Sequence, residues 1–167
     1  MVEIVKVYKE SYPALRLIGK RYTNSDRGPG GGYGHKWGEW HQQGYFAVLE
    51  QLGGAPEHGD AYVGCMRSAG EFEYWIGMFF PAGTPVPPEF MHVDIPAGDA
   101  GICWVYGRED NGELYGPTVH DLCRTKILEA GWQIARDAWV FERYNCPRFT
   151  SPDDQGKVIL DYGVYLV

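Results

Sequence analysis

Glu142 is the residue in this chain best placed to do chemistry. It stands in the run Trp139-Val140-Phe141-Glu142-Arg143-Tyr144. A carboxylate in so apolar a run is costly to bury without a partner. Three arrangements are open to it: exposure at a sheet edge, a bond to a neighbour of Arg143 or to a tyrosine hydroxyl, or retention for a ligand. Period-two alternation puts Val140, Glu142 and Tyr144 on one face of a strand. Trp139, Phe141 and Arg143 then share the other. Desolvating a carboxylate raises its pKa and suits it to general acid–base work.

Aromatic residues make up 15% of the chain, with six Trp and twelve Tyr, more than a small core usually needs. Trp104 and Tyr106 lie on one face of a strand predicted over 102–106. Trp75 shares a face with Gly77, and Asp161 takes the matching place beside Gly163. A glycine beside a ring lets a flat ligand or another backbone come close. Trp37 and Trp40 begin the first predicted helix on its apolar side. Such rings either fill the core or line a cleft, where they would stack on an aromatic ligand or attract a cation that Glu142 neutralises.

Other chemistries find little support. His35 and His41 do not have the HExxH spacing, and helix positions six apart diverge, so no metal site is expected. Residues 28–34, Gly-Pro-Gly-Gly-Gly-Tyr-Gly, lack the Gly-Lys-Ser/Thr ending of a P-loop and the spacing of a dinucleotide fingerprint. They read as a mobile loop and a candidate lid. There is no GxSxG, and no cofactor is expected. Cys65, Cys103, Cys123 and Cys146 form no CxxC pair, and Cys123 reads as core. The net charge of −7 argues against direct binding of nucleic acid. The N-terminus has no secretory pattern, and no run approaches 18 apolar residues. A cytoplasmic location with reduced thiols is the expectation.

The elements that must position these residues come in a doubled order. A hairpin is predicted over 2–22, turning at Ser11-Tyr12-Pro13. A helix follows over 37–52, stopped by Gly53-Gly54. Strands are predicted at 61–67 and 72–80, and residues 81–88 form a Pro-rich linker. The plan then recurs. There is a hairpin over 92–106 turning at Pro96-Ala97-Gly98-Asp99, and a helix from about Thr118 to Gly131. Strands at 139–144 and 157–167 follow. The prediction is one α+β domain, residues 1–167, of two strand–helix–strand–strand repeats over about 2–81 and 90–167. Their strands would form an antiparallel sheet with two main helices and a ligand cleft at a pseudo-two-fold junction.

The second half resembles the GyrI-like effector-binding domain of AraC- and MerR-type regulators. Ile95-Pro96-Ala97-Gly98-Asp99-Ala100, Trp139 to Asn145 and Tyr162-Gly163-Val164-Tyr165-Leu166 carry the resemblance, and Tyr74-Trp75-Ile76-Gly77 extends it to the first half. It implies an organic ligand, often flat or cationic, held between the halves with Glu142 in the pocket. No helix-turn-helix segment is present, so the expectation is a stand-alone sensor or sequestering protein with a small aromatic ligand as partner. Glu142, Tyr144, Trp104, Tyr106, Trp75, Trp40 and Trp37 are then the candidate ligand residues. A second reading follows stand-alone members that hydrolyse cyclopropane-bearing DNA-alkylating compounds, with Glu142 activating water. A third is a protein-interaction role like that of the family's gyrase-inhibiting namesake.

Overall fold

The computed structural model describes residues 1–53, 61–144 and 147–167. Gly54, Asn145 and Cys146, all read from the sequence above, lie outside the described residues. The chain divides into two compact units, Pro13–Pro96 and Met1–Tyr12 with Ala97–Val167. Each is an α+β unit with four antiparallel strands, described in turn.

The Pro13–Pro96 unit contains β2 (Leu15–Tyr22), α1 (Gly34–Gln43), α2 (Tyr45–Glu50), β3 (Tyr62–Ala69), β4 (Glu71–Pro81) and β5 (Met91–Ile95). Its strands lie in the order β3-β4-β2-β5. β4 reads Glu-Phe-Glu-Tyr-Trp-Ile-Gly-Met-Phe-Phe-Pro, and its residues 73–80 are all buried. This near-continuous apolar run is what a central strand covered on both sides requires. One face of β4 and β2 supplies Ile18, Tyr22, Tyr74, Ile76, Met78 and Phe80 to a core that includes Trp40, Phe46 and Leu49 of the helices. Burying each such side chain is worth roughly 1.5–3 kcal/mol.

The single helix expected over 37–52 is two helices. Gly44 adopts a left-handed φ of 71°, and its N–H caps the Trp40 carbonyl. That is a glycine helix end, and the chain starts again at Tyr45. The apolar steps run through the break, so periodicity alone did not reveal it.

The other unit contains β1 (Glu3–Tyr12), β6 (Gly98–Arg108), α3 (Pro117–Glu129), β7 (Val140–Tyr144) and β8 (Lys157–Tyr165), with strand order β1-β6-β8-β7. α3 packs closely on β6: a Cβ added to Gly101 would meet Ile127 at 3.1 Å. Cys103 and Cys123, one on each element, are fully buried between them, and the Cys103 thiol donates to the Cys123 carbonyl at 3.6 Å.

The two expected hairpins do not pair. β1 pairs with β6, and β2 with β4 and β5. The chain passes from one unit to the other at Tyr12/Pro13 and again at Pro96/Ala97. Proline has no N–H to close a tight hairpin turn and holds the residue before it extended. The same Pro-Ala chemistry that read as two turns marks two crossings. Each unit thus holds a strand–helix–strand–strand run plus one outer strand, β5 or β1, beside the first strand of that run.

The sequence read Gly77 and Gly163 as openings for a ligand or another backbone. Protein fills both. A Cβ on Gly163 would lie 2.2 Å from Phe141 Cζ, and one on Gly77 would lie 2.1 Å from the Ile18 carbonyl oxygen. Gly77 faces Gly19 across β2 and β4. Gly77→Ala is therefore expected to lower stability by about 1–3 kcal/mol or more, the cost of overpacking against atoms that cannot step aside. Urea unfolding measures it, and an unchanged midpoint would mean the strands can part at no cost.

Candidate functional site

Glu142 sits on β7 opposite Tyr162 of β8 and faces α3. α3 begins with Pro117 in its first turn, where a missing N–H costs nothing. His120 lies one turn in. Its Nε2 is 2.9 Å from Glu142 Oε1, and the Tyr144 hydroxyl donates to Glu142 Oε2 at 2.9 Å. The His120 ring centre lies 5.0 Å from that of Tyr162. Phe149 meets Tyr144 edge-on at 4.9 Å. Burial pushes the Tyr115 and Tyr162 hydroxyls above the usual tyrosine range, and the Glu142 charge adds to both shifts. The result is a carboxylate in an aromatic, hydroxyl-lined setting under the first turn of a helix.

Comparison with the other buried carboxylates gives this site its meaning. Asp161, 0% exposed, accepts from Arg143 Nε at 3.2 Å and from Arg148 NH2 at 2.8 Å. Glu73, 8% exposed, takes the Trp75 indole N–H at 2.7 Å and pairs with Arg67 at 3.3 Å and Arg21 at 3.5 Å. Glu142 is buried to the same degree, 7% exposed, yet its only ion-pair partner among the described residues is a histidine. Asp161 and Glu73 have permanent cations. Glu142 does not.

The remaining sequence candidates fall elsewhere. β6, β8 and β7 run in a register that sets Trp104 level with Asp161 and Asp161 level with Arg143. Trp104 therefore shares the face of Arg143, away from α3 and opposite to Glu142. Lys6 Nζ lies 4.5 Å and Arg148 Cζ 4.4 Å from its ring centre. Tyr106 is on that same face and donates to Asp153. In the other unit, Trp75 also points away from the helices, toward Glu73. Trp40 is completely buried, with its indole N–H on the Tyr22 hydroxyl at 2.9 Å. Trp37 is half-buried and donates to the Tyr74 hydroxyl at 2.9 Å. The glycine-rich loop is held by Gly28 and Arg27, which donate to the carbonyls of Gly32 at 2.8 Å and Gly31 at 2.6 Å. Behind it the buried Tyr33 ring stacks on Tyr74 at 4.2 Å.

His120 was missed. It is a lone histidine on a helix with no motif around it, and the only available signal was its place in the first turn of the second predicted helix. Trp104→Ala is expected to lower stability by less than the ~3–5 kcal/mol of a fully buried ring, since Trp104 is half-buried. Chemical denaturation measures the loss, and one as large as that of a fully buried ring would mean that the indole contributes more to packing than its partial exposure implies.

No protein-family model matches the chain, and no curated protein matches it. Solved structures do. One is SAV2435 bound to tetraphenylphosphonium, with a TM-score of 0.69, 16% identity, and coverage of 98% of this chain and 94% of that one. Another is a bacterial transcription-regulation protein from Staphylococcus aureus MU50, with a TM-score of 0.64, 15% identity, and coverage of 96% and 97%. A third is an integron cassette protein from the mobile metagenome of Vibrio cholerae, with a TM-score of 0.54, 13% identity and 99% coverage of both chains. These likenesses bear out the α+β fold. Among the described residues no helix is long and apolar enough to cross a membrane, and no three metal-ligating side chains group together.

Proposed function

We propose that this chain binds a small lipophilic organic cation at Glu142, as an effector-binding or sequestering protein. One observation carries the reading: Glu142 is a buried carboxylate with no lysine or arginine ion partner among the described residues, while the comparable Asp161 and Glu73 each have two arginines. A buried charge without a fixed counter-charge is expensive, so such groups concentrate at functional sites. The rings around it suit a flat or tetrahedral aromatic cation, which gains from π faces as well as from the carboxylate. A fold relative bound to tetraphenylphosphonium supports the same ligand class. Tyr144 and His120 would orient the carboxylate and reshape as the ligand enters.

The hydrolytic reading has one observation in its favour. Glu142 and His120 are hydrogen-bonded, and such a pair can take a proton from water and return it to a leaving group. Calorimetric titration with tetraphenylphosphonium, and incubation with a cyclopropane-bearing aromatic followed by mass analysis, test both readings. Saturable binding with compounds recovered unchanged supports the binding protein. A product heavier by one water makes it a hydrolase. No binding of the cation at any pH defeats the proposal.

A further inference from the structure

His120 offers a charge to the same carboxylate that the proposed ligand needs. We infer that His120 is a built-in competitor for Glu142: protonated, it acts as the site's internal cation and shuts out an organic one, and neutral, it leaves the carboxylate's charge available. This rests on the binding function proposed above and adds its regulation by proton concentration.

The geometry is specific to this pair. His120 Nε2 reaches Glu142 Oε1 at 2.9 Å, and the other carboxylate oxygen is taken by the uncharged Tyr144 hydroxyl. A histidine changes charge within about pH 5–8, where no other ordinary side chain does. The groups around the pair do not substitute for it. β7 presents Tyr144, and β8 presents Tyr162, whose hydroxyl is raised by burial first and by Cys123 next. The Cys123 thiol of α3 is raised, chiefly by its bond with Cys103 of β6, and so stays neutral here. Tyr115 ahead of the helix is raised by burial and by Glu109 and Glu142. Arg124, the remaining nearby cation on α3, acts on Tyr162 and forms no ion pair with Glu142 among the described residues. An arginine keeps its charge throughout this range and cannot supply a pH response.

The sign follows from competition. At low pH the pair carries an extra proton, and a cation must expel it to bind. Affinity for a cation therefore rises with pH through the histidine range, by up to about tenfold per pH unit while one proton is displaced, and then levels off. A neutral ligand of similar shape shows no such rise.

The test uses the whole chain, with tetraphenylphosphonium and neutral triphenylphosphine oxide titrated between about pH 5.5 and about pH 8, a span chosen to bracket histidine titration. For the wild type, the cation's affinity is expected to climb with pH and the oxide's to stay flat. In His120→Gln, which keeps a donor for Glu142 but no charge, the climb should vanish. Its low-pH affinity for the cation should rise to the wild-type high-pH level. Calorimetry of the wild type in two buffers of different ionisation enthalpy gives a second measure, free of any folding defect in the variant: up to one proton should be released per cation bound. Cation binding with the same pH slope in His120→Gln, or without proton release in the wild type, overturns the inference and leaves the binding function standing. Absence of cation binding by both proteins at every pH overturns both.

Discussion

Asp161→Asn is expected to destabilise the protein by about 3–5 kcal/mol, the cost of leaving a buried charge without its partner. Asp161 is fully buried, and two guanidinium groups converge on it. Arg143, only 3% exposed, gives it both Nε and NH2, at 3.2 and 3.0 Å, and gives NH1 to the Tyr12 hydroxyl at 2.8 Å. Burial alone would push the Arg143 pKa down, but Tyr12 and Asp161 outweigh it and hold it above the usual value. Arginine is not deprotonated in proteins, so the guanidinium keeps its charge when position 161 is neutral. With asparagine there, the acid still paired with it among the described residues is Glu10 at 3.6 Å, on a side chain 36% exposed and correspondingly weakened by water. The loss should appear as a lower urea midpoint with an unchanged slope. Replacing the pair together, as Asp161→Leu with Arg143→Met, should cost less than Asp161→Asn alone, because apolar groups of similar size need no counter-charge. A loss under about 1 kcal/mol in the single variant would mean that water reaches Arg143 and that the network is not a closed one.

That network also explains how far the sequence could be read. Strands and helices were legible where the pattern is local. The run 72–80 became β4 over 71–81, and the helix expected from Thr118 became α3 from Pro117. Within β7, alternation correctly set Glu142 and Arg143 on opposite faces. What alternation cannot do is relate faces on different strands. Whether Trp104 belongs with Glu142 or with Arg143 depends on the registers of β6 with β8 and of β8 with β7, and those put it with Arg143. The pairing partners were hidden for the same reason. β1 finds β6 nearly a hundred residues later rather than β2 beside it. His120 was hidden by helix phase: only the turn of α3 over β7 decides that this side chain, and not a neighbour, meets the carboxylate.

Glu142→Gln should reduce affinity for tetraphenylphosphonium by at least about tenfold, equivalent to about 1.4 kcal/mol, and leave affinity for triphenylphosphine oxide within a factor of about two. The amide keeps the size of the carboxylate and can still accept from Tyr144, so the local packing is preserved while the charge is lost. Truncating one partner of a desolvated charge pair often costs 2–5 kcal/mol, so tenfold is a lower bound set by residual water at the site. Folding should respond in the opposite direction or not at all. In the free protein Glu142 is a buried acid with no arginine or lysine ion partner among the described residues, and neutralising it removes a desolvation cost without breaking an arginine pair. This sets it apart from Asp161, whose neutralisation removes the buried carboxylate that Arg143 and Arg148 share. A variant with a raised or unchanged unfolding midpoint and a weakened grip on cations alone would mark Glu142 as a residue kept for a ligand at the expense of stability. Equal losses for the cation and the neutral oxide would instead make it a packing residue. A lowered midpoint would show that its bonds to His120 and Tyr144 are part of what holds α3 on the sheet.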